Sequence, residues 1–368
     1  QIYDEIIKNH SDKVISIYIT QVMGNLIGKN INNEIKISKF DHEMKLFKLQ
    51  SEEVHEDNAM VYDIENNTKI NKLVKYKFQL YRNISHINEE EYQYLNHLKI
   101  ILNSSKKKSR NGTVYSKFGG INMEFDLRKG FPLLTTKKMG WKTILRELLW
   151  FISGSTDNKK LVDNRVNIWT QNSIEYEKKS NYGSGDLGPI YGFQWRHFGA
   201  EYIGCDQDYT NKGIDQLKWI IDEIKKNPES RRLIMSSWNP VDLSNMALPP
   251  CHVLVQFSIE DTYIDAQLYQ RSGDMFLGVP YNIASYSYLL SIIGNITGYT
   301  PRKLYHVLGD AHIYEEHIDS VKDQLKRTPS RFPRLLINKI NDIDSIDEYN
   351  FNIVDYISHT SISAPMIT

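Results

Sequence analysis

The sequence lacks the features of secreted, membrane-spanning and nucleic-acid-coating proteins. Its 368 residues include only two cysteines, Cys205 and Cys251, which is too few for a disulfide framework. No apolar run is long enough to span a membrane, and no leader pattern opens the chain. Lys+Arg and Asp+Glu both total 45, so there is no basic excess to attract a nucleic acid. We therefore expect a cytoplasmic protein with no membrane partner and no obligatory nucleic-acid partner.

One stretch, residues 247–285, concentrates chemically useful side chains. Cys251 follows two prolines and precedes an alternating strand pattern over residues 252–259, and a second strand pattern covers residues 263–272. A short connection at residues 260–262 predicts antiparallel pairing, which brings Cys251 close to Arg271. A nearby guanidinium lowers a thiol pKa and can bind an oxyanion with two parallel hydrogen bonds. Taken singly, each residue is also typical of a small buried side chain or of a surface charge.

The same stretch resembles thymidylate synthase in its segments PPCH, QLYQRSGD, LGVP and YNIASY, and the likeness extends over residues 90–368. The resemblance implies an α/β (α+β) fold with a large mixed, mostly antiparallel sheet, surrounding helices and a sheet-to-sheet homodimer. It implies reductive methylation of dUMP to dTMP with 5,10-methylenetetrahydrofolate as co-substrate, which gives dihydrofolate. The folate supplies both the carbon and the hydride, so no metal is expected.

The resemblance also assigns site residues. Catalytic roles fall on Cys251, Glu147, Tyr191, Asp274 and Asn282. Contacts to dUMP fall on Arg110, Arg231, Arg232, His252, Gln270, Arg271, Ser272, Asn282, His312 and Tyr314. Contacts to the folate fall on Glu147, Trp169, Asn172, Asp274, Gly278, Tyr281 and Ala364.

Several of these positions also have plainer interpretations. Glu147 lies on or beside the apolar face of a helix predicted over residues 144–152, where a carboxylate is costly unless it is paired or used. Trp169 is equally typical of a core residue. The basic run that ends at Arg110 is usually a solvated loop, and it is one residue shorter here than the phosphate loop of the family. The histidines of residues 306–317 do not follow a zinc-binding pattern.

Hydrophobic periodicity predicts the elements around these residues. One helix begins near Glu91, a second runs from Ile214 to Ile224 and ends at Asn227, and a long buried helix covers residues 283–299. A strand is predicted over residues 230–239, so Arg231 and Arg232 would point to opposite faces. The resemblance places this arginine pair across the dimer interface, at the phosphate bound by the partner.

The first 83 residues have a different relationship. The order QIYDEII, a strand over residues 14–20, SEEVHE and YKFQLYRN is similar to the last third of dihydrofolate reductase. We place the boundary near residue 85, with a reductase-like fragment and linker at 1–85 and a synthase domain at 86–368. The parent is then expected to be a bifunctional dihydrofolate reductase–thymidylate synthase, with most of the reductase domain, and its NADPH, outside this chain.

Two other functions compete with the synthase interpretation. A deoxycytidylate hydroxymethylase would share the fold and the nucleophile, but an aspartate is expected there at the position of Asn282. A non-catalytic nucleotide- or RNA-binding remnant is expected to have lost Cys251 or Glu147. Both residues are present.

Overall fold

The described residues form two compact units. A computed structural model describes residues 16–23, 47–63, 68–83 and 88–367. The contacts divide the chain into Gln1–Ile87 and Asn88–Thr368, with the division two residues beyond the predicted boundary. Within the described ranges, every helix is too short or too polar to cross a membrane.

The first unit contains a three-stranded antiparallel sheet. Its strands are β1 (Ser16–Met23), β2 (Phe47–Asp63) and β3 (Thr68–Asn83), and β3 lies in the middle. The strand predicted over residues 14–20 is confirmed where the chain is described. Alternation over residues 75–81 also predicts a strand, and β3 contains these residues but is longer. The sequence also predicts a helix from the apolar spacing of residues 2–7 and a polar loop near residue 66, and both lie outside the described residues.

The second unit mixes helices and strands. Its helices are α1 (Glu89–Leu102), α2 (Trp141–Ile152), α3 (Asn158–Asp163), α4 (Thr170–Glu177), α5 (Tyr191–His197), α6 (Gln216–Lys226), α7 (Gly278–Thr297) and α8 (Ile318–Leu325). Its strands are β4 (Lys106–Ser109), β5 (Gly112–Asp126), β6 (Ile234–Ser236), β7 (His252–Glu260), β8 (Tyr263–Asp274), β9 (Thr300–Tyr314), β10 (Arg334–Ile337) and β11 (Phe351–Val354). Short 3-10 turns cover Leu243–Asn245, Glu315–His317, Ile343–Ser345 and Glu348–Asn350.

A six-stranded mixed sheet positions the site. Its order is β4-β5-β9-β8-β7-β6, and only β8 and β9 pair in parallel. The predicted antiparallel pairing of β7 with β8 is confirmed, with His252 opposite Gln270. Asp261 takes a positive φ of 53° in the connecting turn, which an aspartate tolerates better than most residues. The hairpin therefore delivers the end of β8 next to the start of β7.

Helix α7 packs in the centre of the unit. Fourteen of its twenty residues are buried. A helix that is apolar on all sides is typical of one enclosed by other elements. Gly298 ends the helix in the left-handed conformation, at φ 86°, which favours glycine. The predicted helix at residues 283–299 is thus confirmed and begins earlier, at Gly278.

Two sequence predictions need correction. The second predicted helix begins at Gln216, because Asp215 caps it by accepting the N–H of Lys218, and Ile214 instead bridges to Phe198 and is exposed. The strand predicted over residues 230–239 spans only Ile234–Ser236.

The arginine pair therefore precedes the strand. The N–H of Ile234 donates to the carbonyl of Arg232 at 2.7 Å, which closes a tight three-residue turn. A strand cannot contain this turn, so alternation of side chains does not govern Arg231 and Arg232. Both residues are exposed.

Candidate active site

The β7–β8 hairpin brings Cys251 and Arg271 together as predicted. The Nη2 atom of Arg271 lies 4.0 Å from the Sγ atom of Cys251. The guanidinium is held by the carbonyls of Pro250 and Pro249, which accept from Nε and Nη2, each at 2.8 Å. The backbone N–H of Arg271 also donates to the Cys251 carbonyl at 2.9 Å. The two prolines thus orient the arginine toward the thiol.

Burial and charge act in opposite directions on the Cys251 thiol. Burial raises its pKa, while the positive charges of Arg271 and Arg110 lower it, and the net pKa is above the ordinary value. The expected effect of Arg271 is present, but it does not outweigh the loss of solvent. Burial therefore favours the protonated form of the Cys251 thiol.

Tyr191, at the start of α5, contacts both Cys251 and His252. Its hydroxyl oxygen accepts the backbone N–H of Cys251 at 2.7 Å, and its ring stacks on His252 with centroids 4.6 Å apart. Burial raises the pKa of Tyr191 far above its ordinary value, with a further contribution from Cys251. The hydroxyl therefore keeps its own proton and can donate it.

Glu147, on α2, is the carboxyl group of the site. The indole Nε1–H of Trp169 donates to its Oε1 atom at 2.7 Å. Burial raises the pKa of Glu147 to about 7, and the bond from Trp169 offsets part of this increase. Such a group is partly protonated and partly ionised near neutral pH. Trp169 is itself buried, so it is both a core residue and a partner of Glu147.

Four polar side chains form a connected chain beside Cys251. His306 Nε2 lies 2.8 Å from Gln270 Oε1, Gln270 Nε2 lies 3.0 Å from Asn282 Oδ1, and Asn282 Nδ2 lies 2.9 Å from His252 Nε2. Three of these residues were assigned from the sequence. His306 was not, because only the parallel pairing of β8 with β9 brings it near Gln270.

Asp274 is the last residue of β8, four residues before the start of α7 at Gly278. Its Oδ1 atom accepts the backbone N–H of Phe276 at 2.9 Å and that of Leu277 at 3.3 Å. His317 Nδ1 lies 3.7 Å from the same oxygen, and its Nε2 lies 2.8 Å from the carbonyl of Pro365. His317 is a second residue that sequence reasoning did not assign, because no sequence signal links it to Asp274.

Of the residues expected to contact the sugar and phosphate of dUMP, only some lie close together. His312 and Tyr314 meet edge to face with ring centroids 5.2 Å apart, and Ser272 pairs with Asp310 between β8 and β9. Arg110, in the turn between β4 and β5, is exposed, and its charge acts on both Tyr314 and Cys251.

Arg231 and Arg232 behave differently from Arg110. Among the residues that the structure describes, neither guanidinium has a hydrogen-bond or ion-pair partner, although both backbones are bonded. Two exposed cations without a partner suit a ligand or a surface outside this chain.

The remaining expected folate contacts surround the same region. Asn172 and Arg110 line a cavity of about 510 Å³ that continues to Leu248, just before the two prolines. A Cβ at Gly278 would lie 3.8 Å from Asp274 and 3.9 Å from Asn282. Burial raises the pKa of Tyr281, with a smaller effect of Glu147, and Ala364 packs against the core.

A thiol beside an arginine, with a proton-exchanging carboxyl group in the same α/β unit, is the combination of groups that enzymes with a nucleophilic cysteine use. The family model described as thymidylate synthase matches residues 92–368, and the chain belongs to this family.

Individual relatives agree with this assignment. A bifunctional dihydrofolate reductase-thymidylate synthase from Zea mays is 48% identical over 321 residues, covering 85% of this chain and 61% of the relative. The thymidylate synthase of Homo sapiens is 49% identical over 282 residues, covering 75% of this chain and 90% of the relative. That of Human herpesvirus 8 is 50% identical over 285 residues, covering 75% and 84%.

The chain spans about three fifths of the length of its bifunctional relatives from rice and maize. The alignment with the maize relative, which covers 85% of the chain, is longer than the family match and extends into the first unit.

Proposed function

We propose that this chain catalyses the reductive methylation of dUMP by 5,10-methylenetetrahydrofolate, with dTMP and dihydrofolate as products. The observation that carries the proposal is the 4.0 Å approach of Arg271 Nη2 to Cys251 Sγ in a site that also holds Glu147 and Asn282. Uracil C6 is the far end of an enone-like system. Addition of the Cys251 sulfur there forms an S–C6 bond and makes C5 nucleophilic.

The thiol must lose its proton as it attacks. Free cysteine is only a few per cent thiolate near neutrality, and burial makes the ionised form of Cys251 still rarer at rest. The charge of Arg271 compensates for the developing negative charge on sulfur, and the same guanidinium can bind the nucleotide phosphate. Nucleotide binding and activation of the thiol are therefore linked through one side chain.

Glu147 moves the protons of the pyrimidine. A carboxyl group with a pKa of about 7 can donate and accept a proton with similar ease at neutral pH. The bond from Trp169 holds one carboxyl oxygen, which leaves the other for a water next to the pyrimidine O4. Asn282 offers one N–H and one oxygen lone pair, which match uracil O4 and N3–H.

The residues present fit a reduced folate. Asp274 uses Oδ1 for two backbone N–H groups, so Oδ2 can accept from a pterin N–H, and the rings of Trp169 and Tyr281 provide apolar surface. Asn172, Gly278 and Ala364 complete the expected contacts. When bound, the folate supplies the one-carbon unit and the hydride.

Two further parts of the proposed function concern the homodimer and the first unit. The protein forms a homodimer through its six-stranded sheet, and Arg231 and Arg232 reach the nucleotide phosphate of the partner. Both guanidinium groups are exposed and have no partner among the residues that the structure describes, which supports this role. The first unit is the C-terminal part of a dihydrofolate reductase domain, and NADPH serves only that domain in the full-length parent. The extension of the maize alignment into this unit supports the relationship.

The test replaces each cysteine in turn. Cys251→Ala should reduce turnover of dUMP by at least a thousandfold, because the covalent step is lost, while dUMP still binds through other residues. Cys205→Ala is the matched control, since burial and Asp186 raise the pKa of that thiol to about 12 and keep it unreactive. Formation of dihydrofolate, followed by absorbance, gives the rates, and calorimetry gives the affinity for dUMP. Turnover of Cys251→Ala within tenfold of the unsubstituted protein would exclude the assigned nucleophile.

A further inference from the structure

We propose that His306 is a positioning residue that, through Gln270, fixes the orientation of the Asn282 amide and so selects uracil over cytosine nucleotides. The inference rests on the proposed function, in that it assumes a nucleotide base at Asn282. His306 is fully buried on β9, and its Nε2 atom lies 2.8 Å from Gln270 Oε1. It contacts the substrate only through two other side chains.

The direction of the chain is set at Gln270. An amide can be turned over so that its oxygen and nitrogen exchange places, and the hydrogen-bond partners decide which orientation holds. Gln270 Nε2 lies 2.9 Å from the backbone carbonyl of Ser272. The reversed amide would place two oxygen acceptors in contact there. Gln270 must therefore present its N–H to Ser272 and its oxygen to His306.

This choice propagates to Asn282. The Nε2 group of Gln270 also donates to Asn282 Oδ1 at 3.0 Å, so the nitrogen of Asn282 must face His252. Since an amide nitrogen only donates, His252 Nε2 accepts, and the proton of that ring lies on Nδ1. His306 has the opposite tautomer, because its Nε2–H must donate to the side-chain oxygen Oε1 of Gln270.

Both imidazole rings are neutral, as this pattern requires. Burial lowers the pKa of His306 to about 3, with a smaller effect of His252. Burial, and then the charge of Arg271, lower the pKa of His252 to about 3. In this arrangement of the four side chains, the Nδ1–H of His252 has no hydrogen-bond partner among the described residues. These contacts leave one N–H without an acceptor, whereas the reversed Gln270 amide would oppose two oxygens at Ser272.

The fixed amide distinguishes the two pyrimidines. The remaining N–H and lone pair of Asn282 complement uracil, which has an acceptor at O4 and a donor at N3. Cytosine has a donor at N4 and an acceptor at N3, so it would require the Asn282 amide to turn over. The turned amide would oppose its nitrogen to the Gln270 N–H, and the Ser272 carbonyl together with the Nε2–H of His306 prevents Gln270 from turning over in response.

Substitutions of His306 distinguish a role in positioning the Asn282 amide from a role in the stability of the protein alone. In His306→Phe the Gln270 oxygen is left buried without its donor, and we expect the ratio of dUMP to dCMP affinities to fall about tenfold. In His306→Gln an amide N–H can replace the imidazole N–H, and the ratio should recover to within about threefold. His97→Phe is the control, because that ring bonds to the Asn122 carbonyl and not to the chain.

Competition binding of the two nucleotides supplies the ratio, and circular dichroism establishes that each variant is folded. The unsubstituted protein must first convert dUMP, which tests the proposed function separately. A folded His306→Phe with an unchanged ratio would overturn the positioning role even if its turnover falls.

A second measurement does not depend on any variant folding. Nitrogen-15 chemical shifts of labelled histidines distinguish the two neutral imidazole tautomers. In the unsubstituted protein we expect His306 protonated at Nε2 and His252 protonated at Nδ1. The same tautomer at both residues would contradict the chain and overturn the inference.

Discussion

At the scale of single residues, the site depends on ionisable groups that are buried, and burial disfavours their charged forms. Cys251 and Glu147 both lie where the ionised form is disfavoured, and each has one partner that partly compensates, Arg271 for the thiol and Trp169 for the carboxyl group. The result is a thiol that resists ionisation at rest and a carboxyl group that exchanges protons near neutral pH. Burial therefore disfavours the ionised form at both groups, and each partner offsets only part of this effect.

The raised pKa of Glu147 predicts a pH-dependent cost in stability. The folded protein retains this proton up to a pKa of about 7, whereas an unfolded chain releases it near 4.5, so stability falls as pH rises between these values. Glu147→Gln removes the cost and keeps an acceptor for Trp169. We expect the variant to be about 2 kcal/mol more stable at pH 8, less than the full shift because the side chain is partly solvated.

At pH 4 the two proteins should be equally stable, because the carboxyl group is then protonated in both states. Urea unfolding at the two pH values measures the difference. Equal stability at pH 8 would show that Glu147 ionises freely in the folded protein.

Asn282→Asp tests nucleotide choice. An ionised carboxylate only accepts, so it can take the Gln270 N–H and one N–H of cytosine, but it offers no donor to uracil O4. We expect the preference for dUMP over dCMP to fall roughly ten- to a hundredfold. Competition binding measures the ratio. A preference equal to that of the unsubstituted protein would remove Asn282 from base recognition.

At the scale of elements, the site depends on the close approach of β8 and β9. A Cβ added at Gly309 would lie 2.7 Å from the Arg271 carbonyl, which is backbone and cannot move aside easily. Gly309→Ala should therefore force the strands apart, cost roughly 1–3 kcal/mol of stability and displace Arg271. Gly183→Ala is the matched control, because a Cβ there meets nothing within 4 Å.

Urea unfolding and the rate of dUMP turnover report the two effects. Both should be reduced in Gly309→Ala and nearly unchanged in Gly183→Ala. If the two variants had the same stability, the strand spacing would not depend on the missing side chain.

The elements also show how far the sequence determines the site. The pairing of β7 with β8 could be predicted because both strands alternate and are joined by a short turn, and this placed Arg271 beside Cys251. The roles of His306 and His317 could not be predicted, since contacts made by β9 and by the C-terminal segment join residues far apart in sequence. The strand at Arg231 was predicted wrongly, because alternation of residue types does not reveal a turn closed by backbone hydrogen bonds.

At the scale of the whole molecule, the remaining question is where the exposed arginines act. Arg231 and Arg232 precede β6 at the edge of the sheet and have no side-chain partner within the described part of the chain. In a closed two-fold dimer, both chains use the same surface to form the interface, so a residue of one chain can complete the site of the other. The proposed dimer predicts this arrangement.

Complementation between two inactive chains tests the proposed dimer. Cys251→Ala lacks the nucleophile and Arg231→Glu opposes the phosphate, so each should be inactive or nearly so as a homodimer. A mixed dimer contains one site with an intact Cys251 from one chain and an intact Arg231 from the other. Isolated with two different affinity tags, it should have about half the activity of the unsubstituted dimer, given independent sites.

Arg165→Glu provides the control for charge reversal at another exposed arginine, and its homodimer should keep full activity. Native mass spectrometry verifies that the tested sample contains one chain of each kind. If verified mixed dimers stay inactive, Arg231 acts within its own chain or only at the surface, and the shared site is excluded. If they recover half the activity, Arg231, whose guanidinium has no partner among the described residues of its own chain, completes the site of its partner.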